Sequence, residues 1–330
     1  MMTLVLILCA VVLAAAVASG VGGVFEAAGS TYASAEQYTA GDAEISAAAK
    51  HLDINWVNGR VLVEYHSGDG IRLSETSDRP IDEDMKMRWW LDGDTLRVQY
   101  AKSGFRLSWN QEKVLTISLP EGSAYGSVQI SATSADLDIP SLQAETLEMT
   151  VTSGDITAAA QVKKLSVTAT SGDIHFTAAA QTDEIAIGTT SGKISLDAEQ
   201  AGSVRLSCTS GAIRAAVGQI TELNAGTTSG NVEVECRQAG RVECGCTSGK
   251  VTARLGSFDT LKVGTTSGNV TLFLPEAPGF TAAINTTSGA VSYDLPLSRQ
   301  GSTYTCGDGS GNVNVSTTSG AVRIERSDLQ

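Results

Sequence analysis

Six cysteines, three histidines and a short series of aspartates are the residues whose types could do chemistry in this 330-residue chain. Asp136, Asp155 and Asp173 recur at near-equal spacing. Stacked carboxylates at such a spacing are what a Ca²⁺ site or a β-helix polysaccharide lyase would use. The same position continues as Lys193, Ala212, Asn231, Lys250 and Asn269, so an acidic site would be confined to one end. Asp and Asn beside Gly also suit turns for local reasons. Cys208, Cys236, Cys244 and Cys246 could serve metal or redox chemistry, but Cys244-Gly245-Cys246 has no second pair to complete a zinc site. Their alternative is a set of small hydrophobes in a core, with a Cys236–Cys244 bridge as a minor possibility. His51, His66 and His175 stand beside no GxSxG-type nucleophile motif, and the glycines form no phosphate-cradling or dinucleotide fingerprint. The expectation is a chain with no catalytic residues, no metal and no cofactor.

The elements that position these residues come from a repeat. Thr-Ser-Gly occurs nine times, at Ser153-Gly154, Ser171-Gly172, Ser191-Gly192, Ser210-Gly211, Ser229-Gly230, Ser248-Gly249, Ser267-Gly268, Ser288-Gly289 and Ser319-Gly320, after a forerunner at Thr133-Ser134-Ala135. Steps between the serines are 19, 18, 20, 19, 19, 19, 19, 21 and 31 residues. A period held that closely is the mark of stacked repeats. Three residues after each serine stands an aliphatic residue, from Leu137 and Ile156 through Val291 and Val322. Further apolar columns lie five after it (Ile139, Phe176, Leu196, Val234), six before it (Val128, Leu165, Val204, Leu223) and four before it (Ile130, Val167, Leu206, Val263). Both flanks alternate with polar residues, so each is a half-buried strand. One repeat therefore reads as strand, Thr-Ser-Gly corner, strand, then a variable loop. The glycine supplies the positive φ that a corner needs.

Two short strands cannot bury their own inward face, whereas stacked coils can. The predicted fold is all-β, a parallel β-solenoid of 19-residue two-strand coils with aliphatic ladders inside. A Greek-key sandwich is the alternative, though hairpins would not repeat one corner tripeptide per two strands. Cys208 and Cys246 would then lie two coils apart, about 10 Å at the β rise and beyond disulfide reach. The step of 31 predicts a loop inserted near 297–312, and the polar residues after Ile324 read as an end that resists edge pairing.

The division that follows has four parts: a signal peptide or membrane anchor at 1–25, a linker at 26–44, an N-terminal β cap at 45–120 and the solenoid at 121–330. Residues 1–25 carry no charge, and Leu4 to Ala18 are unbroken apolar. Such a run suits a signal-peptide core, and extended to Phe25 it reaches the roughly 20 residues that span a bilayer. In LDINWVNGRVLVEY, Asn58-Gly59 takes the place of Ser-Gly, with Leu52, Ile54 and Trp56 inward before it and Val61, Val63 and Tyr65 after it. A hairpin follows in MKMRWWLDGDTLRVQY, turning at Asp92-Gly93-Asp94, and all four Trp (Trp56, Trp89, Trp90, Trp109) belong to the cap.

The TTSGxV units, LDINWVNGRVLVEY, SETSD, LDGDTLRVQYAKSGFRL and VLTISLPEG together resemble a bacterial putative-adhesin domain of unknown function. It is built of β-strand repeats and common in Gram-positive envelope proteins. The resemblance runs from about residue 45 to the C-terminus. It implies a surface-exposed β-solenoid after an N-terminal membrane segment, and brings no established catalytic residues. Some relatives are linked to envelope-stress responses, which implies a sensing role as a second possibility.

Lys plus Arg number 23 against 36 Asp plus Glu, a net charge of −13 that excludes nucleic acid as the main partner. Three functions follow. The first is a non-catalytic surface rod or adhesin binding an envelope or extracellular ligand of unknown identity. The second is an envelope-stress sensor for cationic peptides. The third is a carbohydrate-active enzyme using Asp136, Asp155 and Asp173. Each places the chain outside the cell, secreted or anchored to the membrane through its N-terminal segment.

Overall fold

The computed structural model describes residues 31–46, 48–104 and 111–329. Residues 1–25, expected as a signal peptide or membrane anchor, lie outside them, as do Cys9 and Trp109. The described residues form two units, 31–179 and 180–329. Each is built mainly of β-strands, most of them stacked in parallel.

In the second unit the strands Thr182–Ser191, Ile194–Ser210, Ile213–Ser229, Val232–Ser248 and Val251–Ser267 stack in parallel. Each serine pairs with the next coil's serine, and Ile194 sits opposite Ile213, then Val232, then Val251. This register rules out the sandwich alternative, because each of these strands pairs in parallel with the next, one period away. The inward positions are closed by Val, Leu, Ile, Ala and Cys, among them Val204, Leu223, Val242 and Leu261, all buried. Their branched side chains favour the pleated backbone, so local preference and burial agree.

The variable segment expected as a loop is not one. Ala198, Gln200 and Ala201 stay paired with Val217, Gln219 and Ile220, so strand runs from corner to corner. The chain bends there on glycine. A Cβ on Gly218 would lie 2.5 Å from the Glu199 carbonyl oxygen, and one on Gly240 2.7 Å from that of Thr221. Backbones stacked this closely keep their ladder bonds and leave no room for a side chain on that side.

The Thr-Ser-Gly corner obeys the same constraint more strictly. Gly211, Gly230 and Gly249 have φ of 153°, 151° and 145°. A Cβ on Gly230 would meet the Gly211 carbonyl oxygen at 2.0 Å. The glycine N–H donates to the next coil's serine carbonyl, as Gly211 does to Ser229 at 2.9 Å.

Chain order and stacking order part company at the C-terminal end. The strand Gly311–Ser319 pairs with Val251–Ser267 on one side and Gly279–Ser288 on the other. Val322–Arg326 likewise lies between Val270–Leu274 and Val291–Tyr293. The last segment of the chain is therefore an interior layer, and the coil around Ser288 is outermost. The polar residues after Ile324 do not guard a free edge, since the strand carrying Ile324 is paired on both sides. The predicted loop near 297–312 is corrected too. It holds a hairpin, Ser298–Gln300 with Thr303–Gly307, whose second strand lies antiparallel on Gly279–Ser288. Alternation explains this: Tyr304 and Cys306 are buried, and Gly301 turns with φ 64°.

In the first unit His51–His66 forms a coil in the solenoid register. Asn58 stands opposite Ser134 and Gly59 opposite Ala135, as the substitution of Asn-Gly for Ser-Gly implied. Its other side carries Thr95–Gln99 and Lys113–Pro120, both parallel. Antiparallel strands cover that last layer: Ile71–Ser77 on Lys113–Pro120, and Arg88–Asp92 on Thr95–Gln99 through a turn at Gly93-Asp94. Residues 26–44, expected as a linker, are docked in their described part. Thr39–Ala40 pairs with Arg88–Asp92 and Ala43–Ile45 with Ile71–Ser77. Tyr38 stacks edge-on against Trp90 with ring centroids 5.6 Å apart, and Ile45 is buried, which fixes this segment.

Candidate functional site

The repeated corner places its residues by position. Two before each serine the side chain points inward: Thr189, Cys208, Thr227, Cys246, Thr265 and Thr317 form one buried column. Several of these side chains donate to backbone carbonyls at the corner. Thr227 Oγ1 reaches the Gly211 oxygen at 3.2 Å and Cys208 Sγ the Gly192 oxygen at 3.3 Å. The serines themselves face solvent. Ser191, Ser210, Ser229, Ser248, Ser267, Ser319 and Ser288 follow one another in register along an exposed edge of the second unit. Threonines accompany them one residue earlier, exposed or half-buried. Ser153 and Ser171 repeat the pattern in the first unit.

Asp136, Asp155 and Asp173 are stacked as expected, and their carboxylates have a structural task. The Asp155 N–H donates to Asp136 Oδ1 at 2.9 Å, and the Asp173 N–H to Asp155 Oδ1 at 2.8 Å. Asparagine does the same further along, where Asn231 Oδ1 accepts from the Lys250 N–H at 2.9 Å. Where the column carries Asp or Asn, one carbonyl-type oxygen accepts from the next coil, so the two interchange along it. Among the described residues no three His, Cys, Asp or Glu side chains are disposed to hold a metal ion.

Cys208, Cys236, Cys244, Cys246 and Cys306 are buried, and the Cys236–Cys244 bridge is not formed. Burial pushes the Cys236 thiol up to about 12, with the Glu235 carboxylate adding to it. The Cys244 thiol is raised further by burial and by neighbouring Cys236. Thiols held protonated are poor nucleophiles and poor ligands. Two of the three histidines are engaged: His66 Nδ1 accepts from the Gly68 N–H at 2.9 Å, and His51 Nδ1 lies 2.7 Å from Ser127 Oγ, while His175 is exposed.

Sequence reasoning missed a buried ion pair in the cap. Lys113 Nζ lies 2.7 Å from Glu75 Oε2, with side chains 0 % and 4 % exposed. The signal was present in KVLTISLP, where Lys113 shares the inward parity of Leu115, Ile117 and Leu119. Burial lowers the Lys113 pKa, opposed by Glu75.

Parallel coils in one register, closed by glycine corners and edged with hydroxyls, define a β-solenoid repeat protein. The chain belongs to the Toastrack DUF4097 family, which matches residues 49–259 and 160–325. No curated protein matches it. Similar solved structures include a putative adhesin from Parabacteroides merdae ATCC 43184 (13 % identity, 87 % of this chain and 96 % of that one, TM-score 0.40). Another is a putative adhesin from Bacteroides fragilis NCTC 9343 (11 %, 88 % and 97 %, TM-score 0.33). A third is a putative cell adhesion protein from Clostridium sporogenes ATCC 15579 (14 %, 88 % and 99 %, TM-score 0.23).

Proposed function

We propose that the chain is a non-catalytic β-solenoid of the cell surface that binds an envelope or extracellular ligand through many weak polar contacts. The observation that carries this is the edge of exposed serines, from Ser191 to Ser288, repeated at each coil of the second unit. Identical hydroxyl pairs at a fixed rise suit a repetitive ligand, and affinity then comes from multivalency. The apolar run at 4–18 supports export, and a segment reaching residue 25 supports anchoring to the membrane. The test is co-sedimentation of the full-length protein with intact envelopes, purified peptidoglycan and polysaccharide fractions across a salt series. Retention on one fraction names the ligand class, and retention on none overturns the reading.

The net charge of −13 favours a second reading, a sensor of cationic antimicrobial peptides at the envelope. Saturable binding of such a peptide that vanishes with salt, without retention on any envelope fraction, would select it.

A further inference from the structure

At the outer end of the second unit the stack finishes on Gly279–Ser288, and the hairpin Ser298–Gln300 with Thr303–Gly307 lies against part of that strand. Between them is a cleft of about 770 Å³, a volume typical of small-ligand sites. Its lining is unusual for this acidic chain. It holds one cation, Arg299, together with Asn285, Ser302 and a set of threonines, and no carboxylate.

Two of its hydroxyls are anomalous. Thr317 is only 4 % exposed, and its Oγ1 has no hydrogen-bond partner. Thr286 Oγ1 is likewise buried and unpartnered. Elsewhere in the same inward column the hydroxyl is satisfied, as at Thr227 and Thr189. A buried hydroxyl left unpaired is unfavourable, so two lining one cleft mark a place where polar partners can enter.

Arg299 is poised in the same way. Its Nε donates to the Gly301 oxygen at 2.9 Å, and its guanidinium lies 5.3 Å from the centroid of the Tyr304 ring. Tyr304 is in turn buttressed by Tyr293, with centroids 5.8 Å apart. Arg299 forms no ion pair among the described residues, although 36 carboxylate side chains are available in the sequence. A guanidinium set over a ring, with its outer nitrogens free of carboxylate, presents a fork suited to a planar anion.

We propose that this cleft binds a carboxylated sugar, the acidic unit of a surface or envelope glycan. Arg299 takes the carboxylate, while Asn285, Ser302 and the two buried threonine hydroxyls meet ring hydroxyls. The inference rests on the surface-binding reading and gives it a specific subsite. A sugar fits better than an apolar peptide side chain because Ile284 and Val291 are the only aliphatic side chains in a lining that is otherwise mostly polar.

The experiment is calorimetric titration of the full-length protein with trigalacturonate, with neutral maltotriose and a short peptide bearing a free C-terminal carboxylate as comparisons. Saturable binding of trigalacturonate at least tenfold tighter than either comparison is expected. Arg299→Ala, at an exposed position, should weaken it tenfold or more, with Arg299→Lys recovering only part. Thr317→Val should weaken binding severalfold while leaving the melting temperature unchanged or higher, which a purely structural hydroxyl would not do. Equal binding of maltotriose, tighter binding of the peptide, no binding of trigalacturonate, or an Arg299→Ala variant that binds as wild type would each overturn the proposal. Envelope co-sedimentation of the wild-type protein separates the two readings. Retention on an envelope fraction without any trigalacturonate binding removes the cleft and leaves the surface role standing, whereas retention on no fraction removes the surface role itself.

Discussion

Lys113 Nζ sits 2.7 Å from Glu75 Oε2 at the centre of the N-terminal cap, where neither side chain meets solvent. The ammonium also donates to the carbonyls of Met85 (2.6 Å) and Tyr100 (2.5 Å), and lies 4.0 Å from the Tyr100 ring centroid and 5.0 Å from that of Trp56. Glu75 Oε1 accepts from the Met87 N–H at 2.7 Å. The pair thereby ties three separate segments of the cap to one point. Removing one charge strands the other in an apolar site, which costs about 3–5 kcal/mol. Lys113→Met is expected to lose that much in urea unfolding. Lys113→Met with Glu75→Leu should recover part of it, with the Met87 N–H left unpaired. A double variant no better than the single one would show that the hydrogen bonds, not the stranded charge, dominate.

Two glycines separate the demands made at a corner. Gly301 has φ 64° and nothing within 4 Å of a would-be Cβ, whereas Gly230 adds contact with the Gly211 carbonyl oxygen at 2.0 Å to its φ of 151°. Gly301→Ala should cost only conformational strain, about 1–2 kcal/mol. Gly230→Ala must also push two coils apart, and a loss above about 4 kcal/mol, or failure to fold, is expected. Equal melting temperatures for the two variants would mean that the stack yields more easily than its backbone spacing implies.

The aspartate column makes a milder prediction. Asp155 gives one oxygen to the Asp173 N–H at 2.8 Å and is exposed. Asp155→Asn keeps the acceptor and should leave stability unchanged, while Asp155→Ala loses about 1 kcal/mol. A larger change for Asn than for Ala would reveal a demand for the negative charge itself.

Much of the fold was legible in the sequence for a physical reason. When identical coils stack, every structural constraint recurs at the same phase, so Ser210, Ser229 and Ser248 and their inward neighbours report one geometry repeatedly. The same phase let Asn58-Gly59 be recognised as a corner. What period alone does not encode is which coil neighbours which. Ser267, Ser288 and Ser319 carry the same corner, and nothing in the tripeptide says that Ser319 lies between the other two. That order is set by the connection through 289–310, where the repeat lapses. The docking of 31–45 was hidden similarly, because Thr39–Ala40 and Ala43–Ile45 are too short to show alternation. The cleft at Arg299 was illegible because its walls, the strand Gly279–Ser288 and the hairpin carrying Arg299 and Tyr304, meet only where the repeat lapses.

The buried thiols make stability depend on alkaline pH. Burial raises Cys236 from about 9 to about 12, and raises Cys244 as well. Between those values the unfolded chain releases protons that the folded chain retains. Stability conferred by the protonated thiols is therefore full below pH 9 and falls as pH climbs toward 12, at up to about 1.4 kcal/mol per pH unit for each group. Cys236→Ala with Cys244→Val should flatten the part of the slope between pH 9 and 11 that these two contribute. An unchanged slope would assign the alkaline loss to other groups, with Tyr100, which burial also raises to about 12, the first to examine.

The intercalated C-terminal strand carries the last prediction. In a stack laid down in chain order, the final coil would be an end layer, and removing it would expose one new face. Here Gly311–Ser319 is hydrogen-bonded to Val251–Ser267 and to Gly279–Ser288 at once. Val313 and Val315 are fully buried between Leu261 and Val263 on one side and Ala282 and Ile284 on the other. Ending the chain at residue 310 thus removes an interior layer and leaves two facing sheet edges unpaired, a severe liability in water. Amide exchange at Val313 and Val315 should be as slow as at Val263, despite their closeness to the C-terminus, and the 1–310 chain should lose protection from Val251 through Cys306 together. Rapid exchange at Val313 alone, with Val263 and Ile284 still protected, would show that the strand can leave without the layers around it and that the two flanking coils close on each other.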